Sequence, residues 1–533
     1  MQRILRAPSA VLALTFVVAW TPGLQIARAA PAPMTPAFTE EERAELQRYA
    51  ATTWRSLERL TLPSGLPADS IGRSAEGWGK PAGQTSPTNI GGYLWSVLAA
   101  EKLSLISQED SRARLRKTLA TLATMERTSG FFLNDLDPRD GRPLRLASTA
   151  EAPWSPHVSA VDNGWLAVAL TMVANAHPPL RDEAEKTLRA MDFRFFYSEF
   201  DPADPVLGPG QLRVGYRPEG REFYGHYGML NSEARIASYL GIARGQLPRE
   251  HYYRLYRTFP EQLGPQSQKP QGRVRDYSGV PVFEGTYTYR GARIVPSWGG
   301  SMFEALMVTL FVPEDVWAPR SWGVNHPLYV RAHIQHGLEE AGYGVWGFSP
   351  AASPRGGYQN YGVKALGTSD EGYHSFEFGA PSLKPGAANG AERLRHGVVT
   401  PHASFLALRF APRESLENLR KLIARFPVYS ECGFLDSVDV SAGAVCGTIL
   451  TVDQAMIMAA IANALADNAM QRAFCEGPIE RTIRPLIEVE EFGNWSGTRI
   501  SQEIPKTWRG PALAEPDPRP QTMNLIELGS QTR

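Results

Sequence analysis

The chain of 533 residues lacks an excess of either charge, since 55 basic residues balance 55 acidic ones. Nucleic-acid and anionic-membrane surfaces require clustered positive charge, so this composition points to neither partner. After the N-terminal segment, no stretch approaches the roughly 20 apolar residues of a membrane span. The apolar content of 43% suffices for a large core, and the sequence therefore favours a soluble globular protein.

Motifs for metals, nucleotides and serine nucleophiles are also missing. No Cys and His spacing resembles a zinc site, no P-loop is present, and Ser297-Trp298-Gly299-Gly300 does not follow the dinucleotide fingerprint. There is no Gly-x-Ser-x-Gly elbow. We therefore predict neither a cofactor nor a metal, and we expect any catalysis to rest on protein side chains.

Cysteine is scarce, with only Cys432, Cys446 and Cys475 in the chain. In an oxidising compartment, a bridge between Cys432 and Cys446 would close a short loop and stabilise it. The odd count leaves at least one thiol free or paired between chains.

The first residues have the pattern of a secretory signal peptide. Arg3 and Arg6 precede an apolar run over 11–20, and Ala27-Arg28-Ala29 ends the segment with small residues. This order predicts cleavage after about Ala29. We therefore expect a signal peptide over 1–29 and a mature protein that is periplasmic or secreted.

The rest of the chain indicates helices of two alternating kinds. Helices that are apolar on all sides are predicted over 89–105, 161–175, 232–244, 301–311, 402–410 and 452–466. Amphipathic helices are predicted over 108–127, 180–191, 327–341 and 413–426. A helix that is apolar all round must be buried, while its amphipathic neighbour can face water.

This alternation predicts an all-α fold in which an inner ring of helices is wrapped by an outer ring, the (α/α)6 toroid. An α-solenoid is the alternative, but no fixed-period repeat supports it. We expect one catalytic domain over 30–510 and a C-terminal tail over 511–533. Long loops near 201–224, 261–296 and 349–395 are rich in Gly, Pro and aromatic residues, and such loops are often functional.

Three acids stand at the heads of helices predicted to be buried: Asp162, Glu233 and Glu304. Burying an ionised carboxylate is costly unless the group is paired or needed. Each acid could instead complement its helix N-terminus or pair locally, as Glu233 could with Arg235. In a toroid, however, these helix starts can converge at one end. Glycoside cleavage needs one acid to protonate the leaving oxygen and one carboxylate to activate water or attack.

Aromatic and polar residues near these acids, or in the long loops, are candidates for sugar subsites. Flat rings stack on sugar faces, and polar groups bind the hydroxyls. The candidates are Tyr93, Trp165, Tyr224, His226, Trp298, Trp346, Tyr358 and Tyr361. Each ring could equally fill the core.

Several stretches, taken in order, resemble the bacterial glucoamylase-like family. They are Ser86-Pro87-Thr88-Asn89-Ile90-Gly91, residues 158–166, 231–239 and 297–306, Trp346-Gly347-Phe348-Ser349, Thr400-Pro401-His402-Ala403-Ser404 and Asp453-Gln454-Ala455-Met456. The resemblance implies an (α/α)6 fold. It also implies kinship with endo-β-1,2-glucanases of glycoside hydrolase family 144 and with the transglycosylating domain of cyclic β-1,2-glucan synthases. In that pattern Glu233 is catalytic and Asp162 belongs to the active site.

One position departs from the synthases that the sequence resembles. Their domains carry a glutamate directly after Trp-Gly-x-Ser, where this chain has Pro350. We therefore favour an inverting hydrolase, in which two carboxylates stand far enough apart to hold a water. Glu233 is predicted to be the essential acid or base, with Asp162 as its partner and Glu304 as a third candidate, either catalytic or sugar-binding.

Three functions remain open at this point. The first is hydrolysis of β-1,2-glucan, and the second is transglycosylation or exo-acting hydrolysis of the same linkage. The third is glucan binding on a fold that has lost catalysis. In each case the expected partner is a glucan.

Overall fold

The computed structural model describes residues 38–144, 156–260, 265–369, 372–378 and 395–493. All of them lie within the compact unit Thr35–Arg533. The predicted signal peptide over 1–29 and the predicted tail over 511–533 lie outside the described residues. None of the helices in the described ranges has both the length and the apolar character that crossing a bilayer requires.

Helices form the frame of the molecule. Several begin at hydrogen-bonding caps: Ser86 caps α2, Ser159 caps α4, and Thr39 forms a capping box with Glu42 at the start of α1. The helices are α1 Glu40–Leu60, α2 Pro87–Lys102, α3 Gln108–Thr124, α4 Ala160–Ala176, α5 Arg181–Ala190, α6 Arg235–Ala243, α7 Glu250–Arg254, α8 Met302–Leu306, α9 Glu314–Trp317, α10 Trp322–Gln335, α11 Pro401–Leu406, α12 Pro412–Arg425, α13 Thr451–Leu465, α14 Ala469–Cys475 and α15 Pro478–Ile487.

The helices differ in burial as the two sequence patterns predict. Helices α2, α4 and α13 are buried on almost every side, whereas α5 and α12 bury one face. Small residues let the buried helices approach closely. A Cβ atom at Gly91 in α2 would lie 2.9 Å from the carbonyl oxygen of Trp165 in α4, and one at Gly164 would lie 2.9 Å from the Cβ of Ala237 in α6. Larger residues there would disrupt the dense core.

The buried helices contact one another in a defined order. Helix α2 packs against α4 and α13, α4 also packs against α6, and α11 packs against α13 and α8. Arg235 in α6 completes the order by donating hydrogen bonds to the carbonyl oxygens of Glu304 and Ala305 in α8. Helices α1, α3, α5, α7, α10 and α12 each pack against helices of this set. The prediction of a helix-rich fold is confirmed.

The prediction of a purely α-helical fold is incomplete, because short antiparallel strands connect the helices. Long loops carry many backbone polar groups, and strand pairing satisfies them. The strands are β1 Ser70–Ser74, β2 Gly77–Pro81, β3 Val158–Ser159, β4 Tyr197–Phe200, β5 Pro209–Leu212, β6 Gly215–Arg217, β7 Glu222–Tyr224, β8 Val274–Tyr277, β9 Val280–Phe283, β10 Tyr287–Tyr289, β11 Ala292–Ile294, β12 Ala351–Ala352, β13 Tyr358–Gln359, β14 Phe376–Phe378, β15 Arg395–Val399, β16 Tyr429–Ser430, β17 Gly433–Phe434, β18 Val438–Asp439, β19 Ala444–Val445 and β20 Thr448–Leu450.

The suggested bridge between Cys432 and Cys446 is wrong, because both residues, like Cys475, are buried free thiols. Cys432 packs into the main hydrophobic core, whereas Cys446 packs into a separate small cluster with Ala352 and Leu450. The two side chains are therefore held in different apolar environments.

Candidate active site

Glu233 lies directly before α6 and is almost fully buried, with 2% of its surface exposed. The Ser232 hydroxyl donates a hydrogen bond to its Oε2 at 3.1 Å. Burial, followed by the negative charge of Glu304, raises the pKa of Glu233 to about 7. Glu233 does not pair with Arg235, the local partner that the sequence allows, because the Arg235 guanidinium binds Glu314 at 2.7 Å instead. Glu233 can therefore hold a proton near neutral pH.

Asp162 occupies the first turn of α4, where its backbone N–H donates to the Ser159 hydroxyl at 3.2 Å. Its side chain is partly exposed, and Oδ1 accepts a hydrogen bond from the Thr88 hydroxyl at 2.5 Å. Tyr227 lies near both Asp162 and Glu233. Burial and then the charges of these two acids raise the pKa of its phenol well above the usual value. The structure thus brings Asp162 and Glu233 to one site.

Glu304 is buried and saturated with hydrogen bonds. Its carboxylate accepts from the Ser297 hydroxyl at 2.8 Å, the Gly299 N–H at 2.9 Å, and both the N–H and the hydroxyl of Ser301 at 2.9 and 2.8 Å. Burial raises its pKa although these bonds oppose the shift. Glu304 therefore completes the capping box of α8 and holds the loop that carries Trp298.

A second group of titratable side chains was not singled out as catalytic in the sequence. His402 in α11, Asp436 before β18 and Asp453 in α13 are buried, and one ligand atom from each lies within 4.8 Å of the others. His402 Nδ1 is 3.2 Å from Asp453 Oδ2. Burial, with the charge of Asp69 also contributing, raises the pKa of Asp453 to about 7. One imidazole and two carboxylates are a donor set that can hold a divalent metal ion.

Short strands bring this second group together. Strand β1 pairs with β20, and the N–H of Thr451, the first residue of α13, donates to the carbonyl oxygen of Asp69 at 2.8 Å. Strand β15, which precedes α11, pairs with β18. The N–H of Ala352 in β12 donates to Asp436 Oδ2 at 2.6 Å. The pairing of loops that are distant in sequence therefore positions these side chains.

Two tyrosines connect the two groups. Tyr358 lies near Asp453, Asp436 and Tyr373, and its pKa is raised by burial and then by those neighbours. Tyr373 in turn lies near Glu304 and Glu233. Both rings are partly exposed. The acids at the heads of α4, α6, α8 and α13 are therefore neighbours of a connected set of phenol rings, Tyr227, Tyr358 and Tyr373.

Three predicted subsite residues lie at this site. Tyr224 is partly exposed near Asp162, and burial raises its pKa to about 12. Tyr358 lies beside the second group, as described above. Trp298 is partly exposed in the loop held by Glu304 and packs edge-on against Phe259, with 5.5 Å between ring centres. Pairing of β3 with β6, and of β6 with β7, brings Tyr224 to the head of α4.

Tyr93 and Trp165 are core residues, so the prediction that they line a subsite is wrong. Tyr93 is 2% exposed and stacks on Trp54 of α1. Trp165 is 1% exposed and packs against Trp95 and Phe311. Each lies on a helix buried on all sides, where proximity to an acid in sequence does not determine which way a side chain points.

Trp346 and Tyr361 are likewise buried, which corrects two further predictions. The backbone of Trp346 exchanges hydrogen bonds with the Asn418 side chain, and Tyr361 donates its hydroxyl proton to Glu377. His226 is partly exposed and lies near Arg213. Burial lowers the pKa of its imidazole to about 4.

Asp453 carried a signal that sequence reasoning could have used. Asp162, Glu304 and Asp453 are each the third residue of a buried helix. Asp436 and Asp69 carried no such signal, because they lie in loops whose strand pairing the sequence does not reveal.

This set of carboxylates and partly exposed rings, in a helix-rich frame, has the groups that an enzyme acting on carbohydrate requires. Comparison with known proteins agrees. The model of the Glycoamylase family, described as "Putative glucoamylase", matches residues 276–478. A second model, DUF3131, a family of unknown function, matches residues 48–230. The resemblance to the glucoamylase-like family is confirmed.

Solved structures share the fold. The endo-β-1,2-glucanase from Chitinophaga pinensis, in complex with sophorotriose and glucose, is 14% identical with a TM-score of 0.61, covering 85% of this chain and 99% of that one. An endo-β-1,2-glucanase mutant from Talaromyces funiculosus, in complex with β-1,2-glucan, is 14% identical with a TM-score of 0.57, covering 86% and 91%. At 14% identity, the structural similarity to these enzymes establishes the fold.

Sequence comparison adds one curated relative. The cyclic β-(1,2)-glucan synthase NdvB of Rhizobium meliloti (strain 1021) is 25% identical over 590 residues. The match covers 84% of this chain and 19% of the synthase, so the chain spans about a fifth of that protein's length.

Proposed function

We propose that this protein is a glycoside hydrolase that cleaves β-1,2-glucan. The observation that carries the proposal is the pair of carboxyl groups at the heads of α4 and α6. Glu233 is buried, with a pKa of about 7, while Asp162 is partly exposed and accepts a hydrogen bond. Glycosidases use two carboxyl groups in such different environments, one as acid and the other as base.

In the proposed reaction, Glu233 gives its proton to the glycosidic oxygen as the bond to the anomeric carbon breaks. Asp162 takes a proton from a water molecule, and the resulting hydroxide attacks that carbon from the opposite face. The products are two shorter glucans with inversion at the new reducing end, and the two carboxyl groups exchange protonation states. Proton exchange with solvent restores them.

Asp453 is the alternative base. It is buried, its Oδ2 lies 3.2 Å from His402 Nδ1, and it also stands at the head of a buried helix. Tyr358 lies near Asp453 and Tyr373, and Tyr373 lies near Glu233, so these phenol rings connect the surroundings of the two carboxyl groups. Substitution of each candidate base separately distinguishes the two assignments.

The substrate class rests on the relatives and on the rings at the site. The relatives include endo-β-1,2-glucanases and a cyclic β-1,2-glucan synthase, and partly exposed Trp298, Tyr224 and Tyr358 offer surfaces for sugar rings. Hydrolysis is preferred over transglycosylation because Pro350 replaces the glutamate expected in synthase-like domains.

We also propose a toroidal architecture for the enzyme and its export from the cytoplasm. The order in which the buried helices pack against one another supports an (α/α)6 toroid with the acids at one end. The N-terminal pattern over 1–29 supports export to the periplasm or beyond.

The test compares wild type with Glu233→Gln, Asp162→Asn and Asp453→Asn on linear β-1,2-glucan. The control is Glu185→Gln on the outer helix α5, where the carboxylate is exposed and pairs with Arg189. Loss of the acid or the base should lower kcat/KM by about 10²–10⁴-fold, whereas the control should match wild type. Proton NMR of fresh products reports the anomer.

Short oligosaccharides with inverted configuration from wild type, and almost none from Glu233→Gln, would support the proposal. Intact polymer with wild type would refute hydrolysis of this linkage and favour a binding protein. Cyclic or longer products would favour transglycosylation. A large loss in Asp453→Asn with little loss in Asp162→Asn would assign the base to Asp453.

A further inference from the structure

The second acidic group contains buried polar atoms whose hydrogen-bonding capacity is not satisfied. Among the described residues, His402 Nε2 and Asp436 Oδ1 lack a hydrogen-bond partner, while His402 Nδ1 and Asp453 Oδ2 face each other at 3.2 Å. Each of the three residues is 2–3% exposed. Buried polar groups nearly always have partners, so unpartnered atoms that converge at one point mark a position suited to a ligand.

The arrangement of these atoms has the dimensions of a coordination sphere. One ligand atom from each residue lies within 4.8 Å of the others, and His402 Nδ1 is directed at Asp453 Oδ2 at 3.2 Å. Two ligands bound to one cation at 2.0–2.2 Å stand up to about 4.4 Å apart. Small shifts of the side chains would therefore place all three around a single ion.

The charge of the group also requires compensation. In the part of the chain that the structure describes, no lysine or arginine forms an ion pair with Asp436 or Asp453, and Asp69 adds a third buried carboxyl nearby. Buried carboxylates in contact are costly unless a cation or a proton offsets them.

We propose that His402, Asp436 and Asp453 bind one divalent transition-metal cation of the Zn²⁺ or Mn²⁺ type. Imidazole and carboxylate together suit these ions better than Ca²⁺ or Mg²⁺, which prefer oxygen ligands alone. The Ala352 N–H that donates to Asp436 Oδ2 orients this carboxylate and leaves Oδ1 free for the ion. These three residues form no metal motif in the sequence, because they come from α11, α13 and the segment before β18.

The partly exposed ring of Tyr358 lies beside this group. A cation with three protein ligands keeps open positions, which water or two neighbouring sugar hydroxyls can fill. Binding of the ion does not depend on the proposed hydrolysis.

The test is isothermal titration of the tag-free full chain, stripped with EDTA and dialysed, with ZnCl₂, MnCl₂, CaCl₂ and MgCl₂ in turn. The variants are Asp436→Asn, Asp453→Asn and His402→Gln. The matched control is Asp439→Asn, which removes another buried carboxylate that faces a histidine, His396, at 2.9 Å. Circular dichroism verifies the fold, and thermal unfolding with and without metal gives a second measurement.

We expect saturable binding of Zn²⁺ or Mn²⁺ at about one ion per chain. Loss of any ligand should weaken it by well over tenfold, since even outer-shell changes cost 10–100-fold, and Asp439→Asn should bind as wild type does. The metal should raise the melting temperature of wild type and the control only. Absence of saturable binding, or equal binding by all variants, would overturn the inference. Binding of Ca²⁺ or Mg²⁺ alone would overturn the assignment of a transition metal.

Discussion

The burial of Glu233 predicts that this residue lowers the stability of the folded protein at alkaline pH. Its pKa is raised from 4.5 to about 7, so the folded state binds its proton more tightly than the unfolded chain does. Stability is therefore lost as pH rises from about 4.5 to about 7, and the full cost is present above that range. We expect Glu233→Gln, which carries no charge at any pH, to avoid this cost.

The magnitude follows from the size of the shift. A difference of roughly 2.5 pKa units corresponds to about 3 kcal/mol at pH 8, where both states of wild type are ionised at this position. At pH 5 folded Glu233 is protonated and the cost is below about 1 kcal/mol. The free energy of unfolding of Glu233→Gln, relative to wild type, should therefore increase by about 2–3 kcal/mol between pH 5 and pH 8.

The assay is urea unfolding of both proteins at each pH, followed by tryptophan fluorescence. The pH-dependent change in the free energy of unfolding is compared between the variant and wild type. In this difference, the contributions of other titrating groups and of the altered hydrogen bond to Ser232 cancel. Glu185→Gln serves as the exposed control and should show no pH-dependent difference. An equal stability difference at pH 5 and pH 8 would refute the argument that burial raises the pKa of Glu233.

Three further predictions concern activity and the core. The kcat/KM for β-1,2-glucan should fall about tenfold per pH unit above about 7, because Glu233 must be protonated; a rate that stays constant to pH 9 in a pH profile would contradict this. Glu314→Gln should cost about 3–5 kcal/mol in urea unfolding, because it leaves Arg235 buried without its partner. Burial opposes ionisation of Glu314, but Arg235 lowers its pKa to about 2, so the wild-type pair should weaken only as pH falls from about 4 towards 2. Tyr224→Ala should raise KM, whereas Tyr93→Phe should leave KM unchanged, and equal effects of the two substitutions would contradict the placement of these rings.

The helical frame was predictable because burial leaves a periodic signal in the chain. The run over 452–466 is apolar on all sides, and the structure has the buried helix Thr451–Leu465 at that position. The capping box of Thr39 and Glu42 likewise marks the start of α1, since helix caps depend on residues close in sequence. The short strands were not predicted, because runs of two to five residues leave no clear period.

The candidate site was predictable in part for the same reason. Asp162 and Glu233 interrupt apolar runs, and such interruptions are visible without a structure. Sequence could not separate Tyr93, which fills the core, from Tyr224, which lies at the site, because both stand near a helix head or a loop. Side-chain direction depends on the packing of neighbouring elements.

The sequence by itself therefore determined the helices, their alternating burial and the acids at their heads, all of which follow from local chemistry. The tertiary structure determines which side chains contact one another. It pairs Arg235 with Glu314, and among the described residues no cation pairs with Glu233. It also brings Asp436 next to His402 and Asp453 through pairing of distant loops. Such contacts depend on where the chain returns in space, which the order of its residues along the chain does not reveal.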